Sequence, residues 1–170
     1  MNAPLVVAVD TDTQEVVGFM WNQIVNRDFD AEWVGPAGLR GYGSYPVEEH
    51  QQQVDAYLEF WKMLSDRGNF FDHFKVDELF DLIFLSVLKE YRHRGIGSKL
   101  MSKSLEIAKE LGYKVAFSNF TSKYSYSIAC SMGFTPIAEL DYKTHYRNYS
   151  TIPKEIAEIH DKAVAMGKRL

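Results

Sequence analysis

A chain of 170 residues, 46% apolar and 14% aromatic, has the length and the material for one sizeable core. Its net charge of −4 excludes a general pull toward nucleic acid or anionic membrane, so a polyanionic ligand needs a local basic patch. The single Cys130 excludes an internal disulfide framework, and the five histidines are scattered without metal-ligand spacing, so no metal site is expected.

No stretch has the length and apolarity of a membrane-spanning helix, and the N-terminus lacks a basic region followed by an apolar one. The expected location is cytoplasmic. In chain order, 5–10 (LVVAVD) and 15–25 (EVVGFMWNQIV) predict a hairpin with Asp12, Thr13 and Gln14 in its turn. Residues 26–45 have no period. Trp33, Gly35-Pro36, Gly38, Gly41-Tyr42-Gly43 and Tyr45-Pro46 mark a surface loop there, either a lid over a binding site or a loosely packed insertion. A helix is predicted over 46–64, with Glu48 and Glu49 in its first turn and Val54, Tyr57, Leu58, Trp61 and Leu64 on its buried face. Asp66-Arg67-Gly68-Asn69 ends it, and a short segment, 70–79, follows.

The chain is organised around 81–134. Residues 81–88 predict a buried strand, with Ile83, Phe84, Leu85, Val87 and Leu88 in quick succession. A turn, Arg92-His93-Arg94-Gly95-Ile96-Gly97, then opens a helix near Ile96, whose apolar side is Leu100, Leu105, Ala108 and Leu111 and whose stop is Gly112. Residues 115–120 (VAFSNF) predict a strand, and Thr121 or Ser122 the cap of a helix running to Met132 and closed by Gly133. Residues 135–142 predict another strand. In 153–170 the composition favours helix, while Lys162, Val164, Met166 and Lys168 alternate as in a strand. There is no internal repeat.

Helix N-termini leave backbone N–H groups unpaired and favour an anion. Gly95 and Gly97 let the main chain approach a bulky ligand, and Arg92 and Arg94 add positive charge at the same place. A diphosphate suits this arrangement. The spacing fits neither a Walker A loop, which ends in Gly-Lys-Ser/Thr, nor the dinucleotide fingerprint.

Arg92-x-x-Gly95-x-Gly97, after an apolar strand and before a long helix, resembles the acetyl-CoA pyrophosphate loop of the GNAT (Gcn5-related) N-acetyltransferases. Ser86-Val87, Tyr91-Arg92, Leu100, Ala108, Leu111-Gly112, Tyr124-Ser125, Ile128-Ala129, Met132-Gly133-Phe134 and Asp141-Tyr142 are similar to the insect-type arylalkylamine branch. The resemblance implies an α/β fold with a mixed central sheet flanked by helices, one domain over 1–170 with the acetyl-CoA-binding core at 82–134. It implies a final strand across 159–170, where His160, Met166, Lys168 and Leu170 match the family's ending. The family's first strand and two helices, which cover part of the sheet, wall the amine pocket and carry a glutamate base in this branch, have no counterpart before the hairpin.

By the same resemblance, acetyl-CoA is assigned to Val87, Leu88, Arg92, His93, Arg94, Gly95, Ile96, Gly97, Ser98 and Ser125, with its pantetheine between the ends of 81–88 and 115–120, and a backbone N–H near Val87 or Leu88 facing the thioester carbonyl. The acceptor is a small primary arylalkylamine such as dopamine, tyramine, octopamine, serotonin or tryptamine; a polyamine or other aliphatic amine, or a CoA-binding relative without turnover, are the alternatives. An amine must be neutral to attack, so a base is needed, and the candidates are Asp81 at the start of the central strand, Glu32, Glu48 and His50. The tyrosine that protonates the leaving thiolate in many relatives falls on Ala129. Ser125 fits the branch's serine, with Ser122 and Ser127 as alternatives. Tyr124 and Tyr126 are expected to pack, and Cys130 to be a small buried residue. Trp21, Trp33, Tyr45, Phe70, Phe71 and Phe74 are available either for an aryl pocket or for the core. A sheet without its first strand leaves an edge that a second copy of the chain can cover, so a homodimer is expected, without nucleic acid or membrane.

Overall fold

The computed structural model describes residues 4–27, 47–146 and 158–170; within 47–58, only the side chains of 55 and 56 are described. Glu32, Trp33, Tyr45 and the expected loop lie outside the described residues, as do Pro153 and the side chains of Glu48, His50, Val54, Tyr57 and Leu58.

Among the described residues, six strands form one mixed sheet. The predicted hairpin is β1 (Leu5–Val9) and β2 (Val16–Asn26). A helix, α1 (Val47–Gly68), runs a turn further than expected, to Asn69 in the left-handed region (φ 37°), and a five-residue helix, α2 (Phe70–Phe74), follows. The central strand β3 spans Glu78–Val87, three residues earlier than predicted, so Asp81 lies inside it and Leu88 beyond it. The register explains the difference: Leu79, in the segment taken as a connection, and Phe80 after it pair with Val25 and Ile24 and are fully buried.

After β3 come a 3-10 turn (Lys89–Tyr91), α3 (Ile96–Glu110), β4 (Val115–Phe120), α4 (Lys123–Ser131), β5 (Thr135–Asp141), the short α5 (Tyr142–His145) and β6 (Lys162–Arg169). Gly112 (φ 87°) and Gly133 (φ 79°) are the left-handed stops of α3 and α4. Tyr142, read as sheet, instead opens α5 with Asp141 as its cap. The strand order is β1-β2-β3-β4-β6-β5, so the last strand inserts between β4 and β5. That position buries Ala163–Gly167 on both faces, which is why a segment of helical composition is extended here. The final strand that the resemblance implies across 159–170 is thus present, over Lys162–Arg169.

Two apolar layers sandwich the sheet. On one face Met20, Phe80, Leu82, Ala116, Phe120 and Met166 pack against Leu100, Met101 and Leu105 of α3. On the other, Leu79, Val115, Phe117, Ala163 and Ala165 meet Phe60 and Leu64 of α1 and Phe70 and Phe74 of α2. Among the described side chains of α1 the buried ones include Ala56, Phe60 and Leu64, four residues apart, with Trp61 only half-buried. Phe70 and Phe74 are core, and Phe71 lies under the Arg27 guanidinium.

Gly167 is where α2 presses on β6, for a β-carbon there would run into the Phe74 ring. Gly167→Ala is expected to cost about 1–3 kcal/mol in urea unfolding. An unchanged midpoint would show that α2 is not seated against the sheet.

Candidate active site

β3 and β4 pair as parallel strands only at Phe80–Ala116 and Asp81–Phe117. Immediately beyond, Ser118 Oγ donates to the Leu82 carbonyl at 2.6 Å, a side-chain bond where the ladder gives way. The two strands then part, with no pair beyond Asp81–Phe117. The β2–β3 register skips Ile83, since Trp21 pairs with Phe84 and Asn22 with Leu82. This bulge exchanges the faces of β3. Before it Phe80 and Leu82 face α3; after it Leu85 and Val87 do. Asp81 and Phe84 are thereby both on the α1 face.

The Leu88 N–H donates to Val17 O at 2.9 Å, so its assignment to the thioester carbonyl is corrected: it is held by β2. That bond makes Val87–Gly18 a non-hydrogen-bonded antiparallel pair, and the alternation of the ladder turns the amides of Leu85 and Val87 away from β2, toward the gap beside β4. The Val87 carbonyl accepts from Arg92 Nε at 3.1 Å. Arg94 donates to Glu90 O at 3.1 Å and lies over the Tyr91 ring. Tyr91 is hydrogen-bonded to Asp10, which holds that carboxyl below its ordinary value and raises the phenol, and which ties the loop to the β1–β2 turn.

His93 (φ 62°) and Gly95 (φ 74°) are left-handed, folding the loop so that Gly95 becomes the N-cap of α3 without any side-chain cap. The first helical bond is Lys99 N–H to Gly95 O, so the amides of Ile96, Gly97 and Ser98 precede it and have no partner within the helix. A β-carbon on Gly95 would meet nothing within 4 Å, whereas one on Gly97 would lie 3.3 Å from Ile128 and 3.6 Å from Leu85. Gly95 thus leaves room for a ligand, and Gly97 lets α3 close on α4. Uncapped amides, two arginines and a strand edge with free amides together fit a diphosphate carrying a pantetheine arm.

Ser122 caps α4. Its Oγ accepts the Ser125 N–H at 3.1 Å and lies 2.9 Å from Ser125 Oγ. Ser127 is exposed. His160, just before β6, accepts the Lys123 N–H at Nδ1 (3.2 Å) and stacks edge-on with the exposed Tyr124. Burial, then the Lys123 charge, lowers its pKa, keeping the ring neutral for that bond. Tyr126 is half-buried and hydrogen-bonded to Cys130, which is exposed rather than buried because it lies on the outer side of α4. Among the described residues no cluster of potential ligands could hold a metal, and no helix is long and apolar enough to cross a membrane.

Asp81 is 2% exposed at the centre of the sheet, and burial alone pushes its carboxyl up to about 8. Around it on the α1 face are Gln23 of β2, directly opposite, and Asn119 of β4, whose Nδ2 donates to Ser65 Oγ of α1 at 2.5 Å. One step along, Trp21 stacks on Phe84 with ring centroids 5.8 Å apart. Gln23, Asn119, Ser118 and the bulge escaped the sequence reading. The available signal was polar residues inside apolar strands, in MWNQIV and VAFSNF.

This arrangement defines an acetyl-CoA-dependent transferase. Residues 3–134 match the acetyltransferase (GNAT) family, and the chain belongs to it. In structure it is similar to a mosquito arylalkylamine N-acetyltransferase-like protein, 5b (TM-score 0.77, 18% identity, 98% of this chain and 74% of that one). It is also similar to arylalkylamine N-acetyltransferase 2 from Aedes aegypti (0.69, 24%, 97% and 72%) and to the polyamine N-acetyltransferase of Drosophila melanogaster (0.69, 17%, 98% and 74%). No curated protein is similar enough in sequence to match.

The buried Asp81 makes stability depend on pH. An unfolded aspartate titrates near 3.8 and the folded one near 8, so folding retains a proton and stability falls as pH rises between these values. The amide of Asp81→Asn does not titrate. The difference in urea midpoint between the variant and the parent is expected to grow in the variant's favour from pH 4 to 8 and to level off above. A difference independent of pH would mean that Asp81 is solvated.

Proposed function

We propose that the protein acetylates a small primary arylalkylamine, with Asp81 as the general base. Acetyl-CoA supplies an activated acetyl group as a thioester. The diphosphate is held by the amides of Ile96, Gly97 and Ser98 with Arg92, His93 and Arg94 around them, and the pantetheine by the Leu85 and Val87 edge of β3. The observation that carries the reading is the meeting of three things at one point: the parting of β3 from β4, the amides released there, and a buried carboxyl with a pKa of about 8.

An alkylammonium has a pKa of about 10 and no lone pair, so it must lose a proton before it attacks. As a cation beside Asp81, the substrate favours the carboxylate. Asp81 then takes the proton, and the neutral nitrogen forms its bond to the acetyl carbon as the carbon–sulfur bond breaks. Ser125 Oγ–H gives a proton to the departing sulfur, and the second proton, which the nitrogen sheds on becoming an amide, returns to Ser125 by way of solvent and Ser122 Oγ, its neighbour at 2.9 Å. The amide of Val87 or Leu85 faces the carbonyl oxygen as charge develops on it. The Trp21–Phe84 stack, with Phe84 37% exposed, is the platform for an aryl ring and favours this class over a simple aliphatic amine.

Thiol release from acetyl-CoA, measured with tryptamine, dopamine, octopamine, spermidine and putrescine, is expected to be selective for the aryl amines. Its kcat/KM is expected to rise with pH to a plateau above about pH 8, the carboxylate being the active form. Asp81→Asn is expected to lower kcat about 10²–10⁴-fold and to abolish that limb of the profile. An Asp81→Asn enzyme with the parent's kcat would remove Asp81 from the reaction.

We propose further that two chains pair through β1, in the cytoplasm. Among the described residues β1 is an edge strand, and Leu5, Val7 and Val9 expose an apolar row of 59%, 46% and 46%. Sedimentation over a range of concentrations is expected to show a dimer that Val7→Lys dissociates while thiol release persists. A strictly monomeric parent would end the idea.

A further inference from the structure

This inference rests on the reading of the α1 face beside Asp81 as the amine site, and deepens it. Two side-chain atoms on that face are sealed from solvent and have no hydrogen-bond partner: Nε2 of Gln23 and Oδ1 of Asn119. Gln23 is opposite Asp81 across β2 and β3, and Asn119 is two residues beyond Phe117, which is opposite Asp81 on β4. The Asn119 amide is oriented by its bond to Ser65, which leaves the oxygen over. An orphaned donor and an orphaned acceptor therefore lie on either side of the carboxyl. A buried polar atom without a partner is a standing cost of desolvation, and two of them flanking one acid, where the strands part, point to a ligand. The third such atom, Asn22 Oδ1, faces α3, where the same amide bonds Pro4 O and Ser104 Oγ, and belongs to the scaffold.

We propose that Gln23 and Asn119 are specificity-determining residues that select a primary amine carrying a hydroxyl group near its nitrogen. A hydroxyl oxygen accepts from Gln23 Nε2. Its proton, or an N–H of the amine, goes to Asn119 Oδ1 and helps to aim the nitrogen lone pair. A bare arylalkylamine leaves Gln23 unpaired. So does a diamine, whose second ammonium only donates. Sites built to bond a hydroxyl discriminate strongly against the analogue that lacks it.

The test uses the full chain. Binding of 2-phenylethylamine, 2-amino-1-phenylethanol and putrescine to the CoA-saturated protein is measured by calorimetry, and kcat/KM for each by thiol release from acetyl-CoA. The hydroxylated amine is expected to bind about tenfold or more tightly than phenylethylamine, and more tightly than putrescine. Gln23→Met and Asn119→Leu are each expected to weaken the hydroxylated amine alone, bringing the ratio toward one. Equal binding of the two aryl amines by the parent, or a preference for putrescine, would overturn the proposal whether or not the variants fold. So would variants that weaken both aryl amines alike, as a merely structural role would. Preference in binding without thiol release would sink the catalytic reading and keep this one; thiol release without preference would do the reverse.

Discussion

The separation of β3 from β4 is the constraint on which everything else depends. Two parallel strands that pair at Phe80–Ala116 and Asp81–Phe117 and then part would fray if nothing held them apart. Here each is anchored on its other side. β2 pairs with β3 from Asn26 to Gly18, and β6 with β4 along its whole length, Val115–Phe120. The gap is thus a built feature. Ser118 marks its apex by giving its hydroxyl to Leu82 O, where a backbone amide would otherwise be. Unpaired amides inside a sheet are costly unless a ligand or water satisfies them, and so the same geometry that weakens the sheet makes it a binding site.

The bulge at Ile83 turns that gap into a site with two sides. It sends Leu85 and Val87 into the α3 layer and leaves Phe84 on the α1 face with Asp81 and Trp21. A regular strand would have kept Asp81 and Leu85 on one side and buried the aromatic ring on the other. The carboxyl occupies a place where a sheet of this kind usually carries an apolar residue, and no cation offsets its burial. The cost to stability at neutral pH of a carboxyl buried in the centre of the sheet is the ground on which Asp81 is proposed as the base.

The C-terminal strand has a second task beyond completing the sheet. His160 receives the Lys123 amide at the start of α4, and Lys168 donates to Met132 O at its end. β6 therefore grips α4 at both termini and fixes Ser122 and Ser125 relative to β4. The N-terminus of α4 and that of α3 are treated oppositely. Ser122 and His160 satisfy the first, whereas Gly95 leaves the second uncapped. Of two helices opening on the same edge of the sheet, one is closed for structure and the other kept open for an anion.

Local chemistry is what the sequence by itself determined. The hairpin of β1 and β2, the Arg92–Gly97 turn, the stops at Gly112 and Gly133, β4 and the Ser122 cap each depend on residues near one another in the chain, and each was legible there. So was the family, because its loop is a local motif. Tertiary structure alone decided what depends on neighbours brought from afar. Residues 162–169 have helical composition, yet insertion between β4 and β5 makes them a strand. Glu78 to Phe80 join β3 because β2 is there to pair with them. Leu88 loses its expected role because Val17 takes its amide. Asp81 is the sharpest case: one aspartate in an apolar run reads as the strand's solvated start, and only its burial in the assembled sheet withholds water and lifts its pKa. Burial and cross-strand register are properties of the assembled sheet, and no window of sequence contains them.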